Sequence, residues 1–161
     1  MRGLRRGGFS IVELLVAVAV VVMVMVAIVS GVSVAVRNSR YSKEKATSVR
    51  QAQEAMEWLR SVRGLLGWRA LREAVNEDGG GSGAVVYCLD TLPGVSEFRN
   101  LANSAVGCGE GVFVSNSINL REMTLELDPG REELRVTVTV KWEGGSGEQL
   151  TRLVSTMEEW R

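Results

Sequence analysis

The chain has 161 residues, 45% of them hydrophobic and 24% charged, and its charges sum to zero at neutral pH. That length suits one modest domain. There is no histidine, which removes the common nucleophile triads and most zinc sites. Without a G-x-S-x-G, P-loop or paired-carboxylate motif either, the chain is not expected to be an enzyme or to hold a metal or other cofactor.

The first eight residues, MRGLRRGG, carry Arg2, Arg5 and Arg6 and no acid. Residues 14–36 then run for 23 positions without a charge. As a helix they would cover about 35 Å, enough for a bilayer core of about 30 Å. A soluble core helix with no polar face would be unusual, so a membrane-spanning helix is expected. A secretory signal also starts basic, but its apolar core is usually about 7–15 residues and ends at a small-residue cleavage site. Here the run is longer, and SGVSVAVRNSR matches that site poorly.

Glu13 sits at the mouth of the run. A lone carboxylate in lipid is unfavourable by about 2.5–3.5 kcal/mol on insertion scales. Ser10 and Glu13 have capping-box spacing, and an acid in a first turn suits the helix dipole. Capping does not account for a basic leader that ends in Gly-Gly directly before an aromatic residue.

Beyond the run, Val49, Ala52, Met56, Leu59, Val62 and Leu66 recur at steps of three and four, one helical face. No proline occurs before Pro93, so one helix is expected over 9–66, about 87 Å long. Ser30 and Gly31 are its weakest point, where a bend is possible. Glu57 and Arg60 are spaced for a surface ion pair. RSVRGLLGWRALR, 60–72, offers phosphate contacts through Arg69 and Arg72 and a stacking ring in Trp68, a DNA-binding reading; the alternative is a helix end with solvated arginines. NEDGGGSG, 76–83, reads as a turn or linker and lacks the alternating ligands of a calcium loop.

The remainder reads as β-structure. AVVYCL (84–89) and GVFVS (111–115) are short strand candidates. In 123–142, Leu134, Val136, Val138, Val140 and Trp142 alternate with polar residues after an Asp-Pro-Gly turn, as in a half-buried antiparallel strand. EGGSGE (143–148) is the next turn, followed by a poorer alternation at Leu150, Arg152, Val154 and Thr156 suited to a last strand. Trp58 and Trp142 are expected in the core. Cys88 and Cys108 would pair if this domain lies outside the cytoplasm and stay as free thiols if it lies inside. The expected fold class is α+β: a long N-terminal helix, membrane-spanning then amphipathic, against a small antiparallel sheet. The segments are 1–8 as leader, 9–36 as spanning helix, 37–75 as its amphipathic continuation and 76–161 as a β-rich head. Charge divides accordingly: residues 37–72 hold nine Lys/Arg against three Glu, and 73–161 hold seven against fifteen acids.

RRGGFSIVELL followed by an apolar helix resembles the class III signal of type IV pilins and type II secretion pseudopilins. That pattern has a short basic leader, a glycine, an aromatic residue and a glutamate at the fifth position after the cut, here Gly8, Phe9 and Glu13. SVRQAQEAMEWLRSVRG and the ending VTVTVKW…STMEEWR are similar to small minor pilins and pseudopilin I. The resemblance implies cleavage between Gly8 and Phe9 by a prepilin peptidase on the cytoplasmic face, and methylation of the new Phe9 amine. Glu13 would then meet the amine of a neighbouring subunit during assembly. A pilin-like fold, a single pass through the inner membrane with the head outside the cytoplasm, and pilin subunits, platform protein and ATPase as partners are further implied. Many major pilins carry a proline two-thirds along the apolar segment, and this chain has none, which favours a minor pilin or pseudopilin. A competence pseudopilin acting in DNA uptake and an anchored extracytoplasmic domain of unrelated function are the alternatives. The count of positive charges pulls against this orientation: the leader has three arginines, whereas Arg37, Arg40, Lys43 and Lys45 follow the helix and the more basic flank is expected inside.

Overall fold

The computed structural model describes residues 10–80, 84–101, 108, 113–115, 117–128, 130, 132–145 and 147–159. Gly8 and Phe9 therefore lie outside the described residues. The chain divides into two units, Met1–Ser42 and Lys43–Arg161, and helix α1, Ile11–Leu66, contributes to both.

In the first unit, Ser10 opens α1. Its hydroxyl accepts from the Val12 N–H at 3.4 Å and its carbonyl from the Leu14 N–H at 3.2 Å. This is N-capping through the second helical residue, not the third that the capping-box spacing predicts. Every residue from Ser10 to Lys43 is exposed. None of the apolar stretch is buried within the chain, and by length and composition it can cross a membrane. The helix continues without interruption through Ser30 and Gly31, and the Ser33 hydroxyl donates to the Val29 carbonyl at 2.9 Å.

In the second unit α1 becomes one-sided. It buries Ser48, Gln51, Ala52, Ala55, Met56, Trp58, Leu59 and Val62, a stripe broader than the six apolar residues that mark it in the sequence. Glu57 and Arg60 form the expected exposed pair at 2.5 Å. The helix stops at Gly67, whose φ of 82° lies in the left-handed region that glycine adopts at little cost. The Gly67 N–H donates to the Arg63 carbonyl, and its own carbonyl accepts from Leu71. Gly67 thus closes α1 and opens a second helix, α2, Trp68–Asp78, which buries Trp68, Leu71, Ala74 and Val75. Asn76 and Asp78, read as linker in the sequence, are the last turn of α2. At Gly79 the chain passes so close to itself that a Cβ would lie 2.8 Å from the Ala84 carbonyl oxygen.

Four antiparallel strands follow in sheet order β1-β2-β3-β4: Ala84–Cys88, Leu120–Asp128, Glu133–Gly144 and Gly147–Met157. The α+β class is thereby observed. Cross-strand rows such as Tyr87, Met123, Val138 and Leu153 line one face, as the period of two requires. That face shares a core with Leu59, Val62, Leu71 and Val75. Trp58 and Trp142 are buried as expected; the Trp58 indole N–H donates to the Pro93 carbonyl at 2.8 Å.

Two strand readings change. Phe113–Ser115 is not a strand, and residues 111–112 lie outside the described residues. The Val114 N–H donates to the Asn119 carbonyl, the Ser115 N–H to Asp90, and the Val114 carbonyl accepts from Ser117. These backbone groups serve a turn rich in Ser and Asn instead of a ladder. In β4, Leu150, Arg152, Val154 and Thr156 point outward, while Thr151, Leu153 and Ser155 are half-buried and Met157 is buried. The β3–β4 turn is also tighter than 143–148, because Gly144 already pairs with Gly147.

Candidate functional site

The first turn of α1 carries the most pointed chemistry. Glu13 is the only ionisable residue between positions 10 and 36. It is exposed, and among the described residues its carboxylate has no hydrogen-bond or ion-pair partner. Ile11, Val12 and Leu14 around it are exposed as well. The result is one anion on an uninterrupted apolar cylinder. In water that anion is solvated at no cost. Once the cylinder is surrounded by lipid or protein, the anion needs a cation, because charges in a low-dielectric surrounding are strongly destabilised unless paired.

The head presents a second feature. Cys88 and Cys108 are joined as a disulfide with a Cα–Cα distance of 5.5 Å, so the paired reading of the two cysteines is the observed one. Cys88 belongs to the cross-strand row Glu122, Thr139 and Arg152, on the sheet face away from the core. The Cys108 N–H donates to Glu122 at 3.3 Å, and Thr139 in that row is only 7% exposed. The bridge therefore pins Cys108 against the outer face of the sheet.

The DNA-binding constellation is not assembled. Trp68 is 8% exposed and part of the core, with the Arg63 guanidinium 5.4 Å from its ring centre. An indole buried in this way offers no face on which a base could stack. Arg72 pairs with Glu132 at 3.2 Å, while Arg69 is exposed.

The sequence reading passed over a buried polar clamp. Arg121 is 2% exposed. Its Nε donates to the Leu89 carbonyl at 3.1 Å and its Nη1 to the Gln51 carbonyl at 3.2 Å. Asn119 Nδ2 donates to Gln51 Oε1 at 2.6 Å, and Gln51 Nε2 donates to Ser117 at 3.3 Å. Burial pushes the Arg121 pKa down, and the fields of Glu54 and Asp90 push it back up. The guanidinium so ties helix α1 to the end of β1 and the start of β2. The signal was present: Arg121 is in phase with Met123 and Leu125, on the inward side of β2. Among the described residues, no group of three or more His, Cys, Asp or Glu is placed to hold a metal ion.

Comparison with known proteins finds no matching family model, no matching curated relative and no matching solved structure.

Proposed function

We propose that the chain is a minor pilin or pseudopilin, a structural subunit of a type IV pilus or a type II secretion pseudopilus, with a pilin-like fold. The observation that carries this reading is Glu13, the sole charge at the start of an exposed apolar helix, five positions after the Gly8–Phe9 junction of a basic leader. In this reading prepilin peptidase cuts at that junction and methylates Phe9. The new amine stays protonated and becomes the cation that the Glu13 carboxylate of a neighbouring subunit meets. A mismatched axial register leaves both charges unpaired in a low-dielectric surrounding, so the pair selects the register. The chain performs no chemistry of its own; it acts by docking. The bridge between Cys88 and Cys108 supports a head outside the cytoplasm, because disulfides persist in oxidising compartments. The apolar half of α1 supports a single-pass anchor in the inner membrane before assembly.

Mass spectrometry of the membrane-extracted protein tests this reading. A mature chain that begins at methyl-Phe9 is the expected result. An intact leader in cells that contain the peptidase overturns it and leaves an anchored extracytoplasmic domain.

A further inference from the structure

The uncharged run ends at Val36, and Arg37 and Arg40 follow it one turn apart on α1. Residues three apart share a helix face. Both arginines are exposed, and neither has a hydrogen-bond or ion-pair partner among the described residues. Tyr41, one turn beyond Arg37, is 43% exposed. All three belong to the first unit, in which nothing from Ser10 onward is buried.

Length fixes where these groups lie once the helix spans. Residues 14–36 cover about 35 Å as a helix, against about 30 Å of hydrocarbon core. Arg37 then falls just beyond the far boundary of the core, and Arg40 about 4.5 Å further, inside the headgroup layer. Long arginine side chains extend toward that layer, and tyrosine is enriched there. Its chemistry complements theirs: a phosphodiester accepts the bidentate N–H pairs that a guanidinium offers. Together with Lys43 and Lys45 these arginines make the flank expected outside the more basic one. A headgroup role gives that basic flank a use.

We infer that Arg37 and Arg40 form a binding site for anionic phospholipid headgroups in the leaflet opposite the leader. This rests on the anchor reading of α1 proposed above. While residues 1–8 remain, arginines flank the span at both ends. Removal of the leader takes away Arg2, Arg5 and Arg6 and leaves the lipid attachment of the mature subunit to the far leaflet.

The test uses the full chain in neutral detergent micelles doped with equal phosphatidylcholine and phosphatidylglycerol, with native mass spectrometry to count retained lipids. The wild type should keep phosphatidylglycerol in preference. R37Q/R40Q should lower that preference about tenfold, in line with the attraction of a basic side chain to an anionic surface, and R37K/R40K, which keeps the charge but not the bidentate donors, should lower it less. The leader arginines are common to all three proteins, so the difference isolates Arg37 and Arg40. Equal retention of both lipids by the wild type, or an undiminished preference in R37Q/R40Q, overturns the inference. So does a dimer that R37Q/R40Q dissolves while lipid retention stays flat, because the occupant is then a second chain. A wild-type chain that carries neither lipid and remains soluble without detergent instead overturns the anchor reading itself.

Discussion

The two halves of α1 obey the same backbone geometry and solve opposite problems. Up to Val36 the helix is exposed on every side, although nearly all its side chains are apolar. Beyond it, polar residues reappear and one stripe is buried with the sheet in a shared core. The lesson concerns solvent. An all-round apolar surface is satisfied only by surroundings that the chain itself does not supply, whereas an amphipathic one is satisfied within the fold. The first half depends on partners or lipid; the second holds a head together.

The largest break in this comparison should come at Glu13. Glu13→Leu or Glu13→Gln should abolish or severely reduce incorporation into filaments while the head melts unchanged. Quantifying subunit in sheared or purified filaments, beside the melting curve, checks both parts. Undiminished incorporation would end the charge-docking idea.

Core and surface of the helix separate next. Leu59 is fully buried, so Leu59→Ala should destabilise the head by about 3 kcal/mol through lost burial and a residual cavity. Val22→Ala, in the exposed half, should leave it unchanged. Denaturant titration in detergent compares the two directly. Replacing Cys88 and Cys108 by serine should lower head stability by about 3 kcal/mol, the chain-entropy value for a loop of this size, and equal loss under reducing conditions in the wild type would corroborate it.

The smallest effect is the dependence on pH. The Tyr87 hydroxyl donates to Asp78 at 2.6 Å. Burial first, then that hydrogen bond and the charge of Asp78, raise the phenol pKa above its ordinary 10.0. A raised pKa means that the unfolded phenol ionises before the folded one. The head should therefore keep this contribution below pH 10.0 and lose it progressively above. Tyr87→Phe should flatten the alkaline limb of a stability–pH profile; an unchanged limb would assign the loss to other groups.

What could be read in advance followed from how local each signal is. The β2–β3 hairpin was legible because alternation and an Asp-Pro-Gly turn agree, and the Asp128 carboxylate does accept from the Gly130 N–H at 2.9 Å. The end of α1 at Leu66 was legible, but α2 as a separate helix was not, because Leu71 and Val75 keep helical apolar spacing and read as a continuation. Only the positive φ of Gly67 parts the two helices, and glycine alone does not announce that. Phe113 and Val114 looked like a strand because they are apolar, yet the Val114 N–H and carbonyl bond to Asn119 and Ser117 within a local turn. For Glu13 the residue and its spacing were plain. Arg121 was overlooked because a charge on an inward phase is seldom expected, and its partners, Gln51 and Leu89, are far off in sequence.

Gly79 has one more implication. With the Ala84 oxygen occupying the space that a methyl group would need, this junction admits hydrogen and little else. Any bulk there would wedge the close of α2 away from β1, and with it Asp78 away from Tyr87. A single hydrogen atom thus sets how tightly the head can be buckled, and sequence drift at this position should be close to forbidden.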